Sequence, residues 1–225
     1  LDGGDPPKSG YMDIKIHVQD ANDNDPIFIQ DSYEVTIKEN LPVNSPIITV
    51  KASDKDAGLY GQITYSFSER TELTYGDCFG IGNASGTIYT KCVIDYEYGS
   101  VYNLVVMAHD RGPDSIPADA TVVIRVLDIN DNSPQVTINT IAAAGVTTAE
   151  VSEDANVGTF VAHITVVDPD SGPNGEFDCS LNENRFKLKK LYESEYKITT
   201  SAALDHEERA EYNLAITCQD NGDEP

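Results

Sequence analysis

The chain has 225 residues, a formal net charge of -23 and a pI near 4.2, which argues against nucleic acid or an anionic membrane surface as its partner. At 40% hydrophobic, with 12 Tyr and 6 Phe, it carries enough apolar matter to bury cores rather than stay disordered. No apolar run approaches the roughly 20 residues of a membrane span and no signal peptide opens the chain, so it reads as an excised soluble piece of about two domains.

The first stretch, Leu1-Asp2-Gly3-Gly4-Asp5-Pro6-Pro7, is a turn-rich loop, after which Ile14, Ile16 and Val18 alternate as a strand would into Asp20. A lone strand cannot form a domain, so residues 1–24 read as the last strand and linker of a preceding repeat. Asp20-Ala21-Asn22-Asp23-Asn24-Asp25-Pro26 follows.

From there to residue 132 the chain supplies seven short strand signals. They lie near Tyr33 to Ile37, Ile47 to Ala52, Gln62 to Phe67, Cys78 to Ile81, Thr87 to Cys92, Tyr102 to Ala108 and Ala120 to Leu127. Turn formers such as Asn83 to Gly86 and Arg111-Gly112-Pro113 separate them. Many short strands at this spacing, with no stretch of helical period, predict an all-β chain built on a sandwich, complete over residues 25–132.

Asp128-Ile129-Asn130-Asp131-Asn132-Ser133-Pro134 then packs carboxylates and amides between two strand signals, and Pro134 forces an extended exit. Charges such as Asp128 and Asp131 held about 4 Å apart repel by roughly 4 kcal/mol at an effective dielectric near 20, so the bend calls for a counter-ion. Oxygen-only donors with no nearby His or Cys favour calcium.

The second repeat, residues 133–225, keeps the order: strand signals near Thr159 to Val167, Glu176 to Leu181, Arg185 to Leu188, Tyr196 to Thr200 and Tyr212 to Cys218. No counterpart of Ala120 to Leu127 follows, so a sandwich lacking its last strand is expected. The apolar stretch Ile138 to Ala144 on the leading strand is read as core in preference to a contact patch.

The four cysteines fall two per repeat. A hairpin turning at Asn83 to Gly86 sets Cys78 opposite Cys92, and Cys179 and Cys218 lie on neighbouring strands, which suits disulfides in an oxidising compartment; free buried thiols are the alternative. Asn83-Ala84-Ser85 is an N-glycosylation sequon at that hairpin tip.

Repetition joins these features. Glu39 recurs as Glu153, Asp54-Lys55-Asp56 as Asp168-Pro169-Asp170, Asp95-Tyr96-Glu97 as Asp205-His206-Glu207, and Asp110 as Asp220, in one order with the two Asn-rich linkers. With these linkers, Leu204-Asp205-His206-Glu207 and Ala108-His109-Asp110, the whole chain resembles a run of cadherin extracellular repeats. Within that family it is most similar to protocadherins, through its opening loop, Asp170-Ser171-Gly172-Pro173-Asn174-Gly175 and Cys179-Ser180-Leu181.

The resemblance implies tandem seven-strand Greek-key, Ig-like β-sandwiches, numbered as the end of a second, a third and most of a fourth repeat. It implies three Ca2+ at the second linker, held by Glu39, Asp95, Glu97, Asp128, Asp131, the Asn130 side chain and the Asn132 carbonyl from one repeat. Asp168, Asp170, Asp220 and the Asn174 carbonyl come from the next. At the first linker Asp20, Asn22, Asp23 and Asn24 meet Asp54, Asp56 and Asp110, with Tyr60 where Asn174 stands, and at least one Ca2+ is expected. Asp2 at one end, and Glu153, Asp205 and Glu207 at the other, lack the linkers that would complete their sites, so both are expected to be empty.

The function implied is calcium-dependent, homophilic cell adhesion: the extracellular part of a single-pass plasma-membrane protein pairing with the same protocadherin on an opposed cell, with no direct membrane contact by this segment. A passive calcium-stiffened spacer is the alternative. An EF-hand fails because Asp25 and Ser133 replace its Gly and Asp31 and Asn139 its closing Glu. A metal-dependent hydrolase fails because His206-Glu207-Glu208 is followed by Ala210 where a second His is needed, so no enzyme is expected.

Overall fold

The computed structural model describes residues 5, 6, 8, 10–113, 115–140 and 148–222. Asp2, most of the opening loop and the 141–144 part of the apolar stretch lie outside them. Nine strands and a short helix build the first repeat: β1 (Ile27–Phe28), β2 (Ser32–Lys38), β3 (Pro46–Thr49), β4 (Ala52–Ser53), β5 (Thr64–Phe67), α1 (Glu69–Tyr75), β6 (Phe79–Ile81), β7 (Thr87–Thr90), β8 (Val101–His109) and β9 (Ala118–Leu127). One sheet runs β2-β9-β8-β5, another β3-β7-β6, and β1 pairs with β4.

Alternation along the strands fixes which side chains go inward. In β8 Tyr102, Leu104, Val106 and Ala108 are buried, and in β9 Ala120, Val122, Ile124 and Val126. With Val50, Phe79 and Ile88 they form a core in which Leu104, Val106, Val122 and Ile124 have no solvent exposure. All seven expected strands are present, with one split: Ile47 to Ala52 divides into β3 and β4 because the two parts pair with different strands, β3 with β7 and β4 with β1. The helix corrects the expectation that no helical segment exists. Ser68 caps it by accepting from the Thr71 amide, Glu69 and Glu72 in its first turn face the positive end of its dipole, and Thr71 is its buried anchor. Seven residues make about two turns, too few to display a period.

Residues 11–19 are a second correction. They form no strand, and Met12, Ile14, Ile16 and Val18 stand at least 80% exposed, because a strand needs a ladder partner and none of the described residues supplies one.

The second repeat comprises β10 (Gln135–Thr140), β11 (Phe160–Val167), β12 (Phe177–Leu181), β13 (Phe186–Tyr192), β14 (Glu195–Thr200) and β15 (Ile216–Asp220), with a single 3-10 turn at Gly172–Asn174. Its sheets run β10-β11-β14-β13 and β12-β15. Val161, Ala162, Ile164, Val166, Phe186, Tyr196 and Ile198 are the core, with Ile138 packed against it, as the core reading of that residue required. The last strand begins later than expected. Tyr212 and Leu214 still pack inward, but the Ala215 amide donates to the Asn182 side chain and the ladder starts at Leu181 opposite Ile216.

Both disulfides form, Cys78–Cys92 beside the β6–β7 hairpin and Cys179–Cys218 between directly opposed residues of β12 and β15. Among the described residues no helix is long and apolar enough to cross a membrane.

The chain gathers into two compact units: residues 1–35, 42–93 and 102–124, then residues 36–41, 94–101 and 125–225. Glu39, Asp95, Glu97 and the second linker thus all fall in the unit that contains the second repeat. The first linker and its acidic residues fall in the other.

Candidate metal centre

In the second unit the cluster is built by backbone amides that aim carboxylates. Glu39, directly after β2, is only 2% exposed, and its carboxylate accepts from the Ile129 amide at 2.7 Å and the Tyr96 amide at 2.8 Å. Asp95 accepts from the amides of Glu97 and Tyr98 at 2.9 and 3.2 Å. Asp128 Oδ2 accepts from the Ser171 amide and the Asn174 side chain. Asp168 Oδ1 accepts from the Asp170 amide, and Asp220 Oδ1 from the Gly222 amide and Asn130 Nδ2.

Glu39 accepts through both oxygens, whereas Asp128 and Asp168 are held by one oxygen with the other unspent. Asp128 Oδ1, Asn130 Oδ1 and Asp168 Oδ2 are buried and have no hydrogen-bond partner. Buried oxygens of that kind cost free energy unless a donor or a cation meets them. Donor oxygens of Glu39, Glu97 and Asp131 lie within 4.8 Å of one another, as do those of Glu97, Asp128 and Asp170. The electrostatics record the crowding. Loss of solvent, a hydrogen bond with Asp95 and the charges of Glu39 and Asp95 push the Glu97 carboxyl up to about 8. Burial, then the charges of Asp170, Asp220 and Asp128, raise Asp168.

The first unit repeats the plan. Asp20 accepts from the Ala57 amide at 2.7 Å, Asp54 from the Asp56 amide at 2.8 Å and Asp110 from the Gly112 amide at 2.6 Å. Asn22 Oδ1, Asp54 Oδ2 and Asp110 Oδ2 are buried oxygens of this cluster without a hydrogen-bond partner, and Asp110 is 6% exposed. Asp56 differs in sign: burial pushes its carboxyl up, but hydrogen bonds from the Asn24 side chain and the amides of Asn24 and Asp23 outweigh it and lower the pKa. Tyr60 stands in the turn after Asp56, as Asn174 does after Asp170. Glu153, Asp205 and Glu207 form a third, exposed triad within 4.8 Å, with Glu153 accepting from the His206 amide as Glu39 does from Tyr96.

Several supporting residues escaped the sequence reading. Asn40, at φ 59°, donates to Asp131 Oδ2. The Tyr96 hydroxyl meets Ser171 Oγ at 3.3 Å. A Cβ on Gly222 would lie 2.5 Å from Asn174 Oδ1, and one on Gly112 2.1 Å from Asn22 Cγ, so these glycines keep room for the linker asparagines. Their signal was present as Asp110-x-Gly112 and Asp220-x-Gly222 in register.

The cadherin-domain family model matches residues 33–127 and 147–225. The chain belongs to the cadherin family. Mouse protocadherin 18 is 40% identical over 222 residues, covering 98% of this chain and 20% of that protein. Human protocadherin gamma-B5 is 41% identical over 226 residues, covering 100% of this chain and 23% of that protein. This cadherin therefore spans about a fifth of the length of the curated relatives it matches. Among solved structures, extracellular cadherin domains 1–4 of protocadherin gamma B7 superpose with a TM-score of 0.82 at 39% identity, covering 98% of this chain and 52% of that one. Domains 1–5 of protocadherin gamma B2 give 0.84 at 36%, covering 98% and 40%.

Proposed function

We propose that this cadherin is the extracellular part of a single-pass plasma-membrane protein that mediates calcium-dependent adhesion by homophilic pairing with a copy on an opposed cell. Its repeats are taken as residues 1–24, 25–132 and 133–225. Three Ca2+ sit in the second cluster, on Glu39, Asp95, Glu97, Asp128, Asn130, Asp131, Asp168, Asp170 and Asp220 with the carbonyls of Asn132 and Asn174. At least one sits in the first, on Asp20, Asn22, Asp23, Asn24, Asp54, Asp56 and Asp110 with the Tyr60 carbonyl.

The observation that carries the reading is the set of buried, unpartnered oxygens that recurs in both clusters on equivalent residues: Asn22 and Asn130, Asp54 and Asp168. Hard oxygen donors of mixed carboxylate, amide and carbonyl type, six to eight per ion, are what calcium takes. Bound ions would neutralise the carboxylates and make each linker rigid, so that the faces of successive repeats keep a fixed register for a partner. Calcium titration of the 225-residue chain followed by small-angle scattering tests the stiffening, with extension rising to a plateau. A scattering profile indifferent to calcium and chelator sinks it. Aggregation of cells displaying the full ectodomain, lost on chelation, tests the adhesive half.

A pH dependence follows from Glu97. Its folded pKa lies above the usual carboxylate value near 4.5, so the stability it lends the ion-free chain is complete below about pH 4.5 and disappears as pH rises through about 8. Calcium takes the ionised form, so binding at pH 7 releases protons and the affinity climbs with pH up to about 8. Calorimetric titration at pH 7 in buffers of different ionisation enthalpy reads the proton release; identical heats in all buffers contradict it.

Asn83, exposed in the turn closed by the Gly82 amide to Thr87 O, is assigned an N-linked glycan. Protein secreted from mammalian cells should shift in mobility with a peptide-N-glycosidase, and the Asn83→Gln variant should migrate at the deglycosylated position without treatment.

A further inference from the structure

We propose that the side-chain amides of Asn24 and Asn132 are clamps that set the spacing of paired carboxylates, and thereby the calcium affinity of each cluster; the proposal rests on the calcium reading above. Asn132 Nδ2 donates to Asp131 Oδ1 at 2.8 Å and to Asp170 Oδ1 at 2.7 Å, while its backbone amide donates to Asp170 Oδ2 at 3.1 Å. Asn24 makes the same three bonds in the other unit: Nδ2 to Asp23 Oδ1 at 2.8 Å and to Asp56 Oδ1 at 2.5 Å, and the backbone amide to Asp56 Oδ2 at 3.1 Å. The two clusters, built on the same Asp-x-Asn-Asp-Asn and Asp-x-Asp pattern, reach one geometry in separate units.

The chemistry explains why the residue is asparagine. If position 132 served only through its carbonyl, any side chain would do. A primary amide has two N–H groups on one nitrogen and no charge, so one group can donate to each carboxylate at once. Serine has a single donor, aspartate has none when ionised, and glutamine is a methylene longer. The amide thus ties a linker carboxylate to one further along the chain, Asp23 to Asp56 and Asp131 to Asp170, spans that would otherwise let like charges drift apart. Each carboxylate oxygen accepts only one of these bonds from the side chain and keeps a lone pair for an ion. Asn24 and Asn132 are therefore positioning residues as well as carbonyl donors.

The test is calorimetric titration of the 225-residue chain with calcium chloride, well below the melting temperature, with ion-free melting measured separately in chelator. Asn132→Ala should weaken binding at the second cluster about tenfold, the low end of what outer-shell partners of metal ligands contribute. Asn132→Asp should weaken it too, despite the added negative charge, and Asn132→Ser should fall between alanine and wild type. Asn24→Ala should act on the first cluster alone. A purely structural asparagine would lower the ion-free melting temperature and leave affinity unchanged, which overturns the clamp; so does an Asn132→Asp chain that binds as tightly as wild type or tighter. Wild-type protein that takes up no calcium defeats the calcium reading itself, a separate result. Should Asn132→Ala fail to fold, the serine variant and Asn24→Ala decide by the same criteria.

Discussion

Replacing Asp170 with alanine should lower the melting temperature in calcium by roughly 10 to 20 °C and leave the melting temperature in chelator within a few degrees of wild type. The carboxylate is 8% exposed, and its oxygens lie within 4.8 Å of those of Glu97 and Asp128. An ion that binds only the folded chain stabilises it by about 2.7 kcal/mol when free calcium is a hundredfold above Kd. For a domain near 100 residues, each kcal/mol moves the midpoint by roughly 4 to 8 °C. Because Asp170 groups with both Glu97 and Asp128, under the proposed calcium reading its loss would extend past one coordination bond to any ion that these carboxylates share.

Without calcium the balance changes. The alanine variant loses the bonds Asp170 accepts from Asn132, about 1 kcal/mol each, but is also relieved of a charge that raises Asp168. These effects oppose one another, which is why the chelated midpoints should nearly coincide. Differential scanning calorimetry at matched calcium and chelator concentrations reads both. A variant that melts far below wild type in chelator would make Asp170 a structural residue in place of an ion ligand.

What could be read from the chain beforehand divides along physical lines. Strands of the first repeat were legible because they are rich in β-branched residues bounded by turn formers, with Val122, Ile124 and Val126, or Leu104 and Val106, at every second position, the period that burial on one face imposes. The same alternation at Ile14, Ile16 and Val18 misled, since periodicity reports which face would be buried but not whether a ladder partner exists. Helix α1 was missed because its stability comes from Ser68, buried Thr71 and the Val105 amide bonded to the Thr71 hydroxyl, a contact 34 positions away. In the clusters the carboxylates were legible through repetition in register. Asn40 was not: its partner Asp131 lies 91 positions off, and no local pattern announces an asparagine held at φ 59° to reach it.

Removing the Cys179–Cys218 bond, by serine at both positions, should cost the second repeat roughly 4 kcal/mol, against roughly 3 kcal/mol for the Cys78–Cys92 pair. The difference comes from loop length. One bond spans 39 positions and the other 14, and a longer loop gives up more freedom in the unfolded chain when it is closed. The fold adds to this. Among the described residues β12 and β15 are the only strands of their sheet, and a two-stranded ribbon is marginal by itself. Cys218 also lies two residues before Asp220, which pairs with Phe177 and accepts from Asn130, so a loosened β15 should weaken calcium binding at the second cluster as well as stability. The Cys78–Cys92 pair should leave that affinity nearly intact, because Asp95 is anchored independently by Ile94, which is 1% exposed and accepts from the Asn40 amide. Urea unfolding in chelator gives the two stabilities and calcium titration gives the two affinities. Equal losses from both pairs, or an affinity at the second cluster that ignores Cys179 and Cys218, would separate the disulfide from the placement of Asp220.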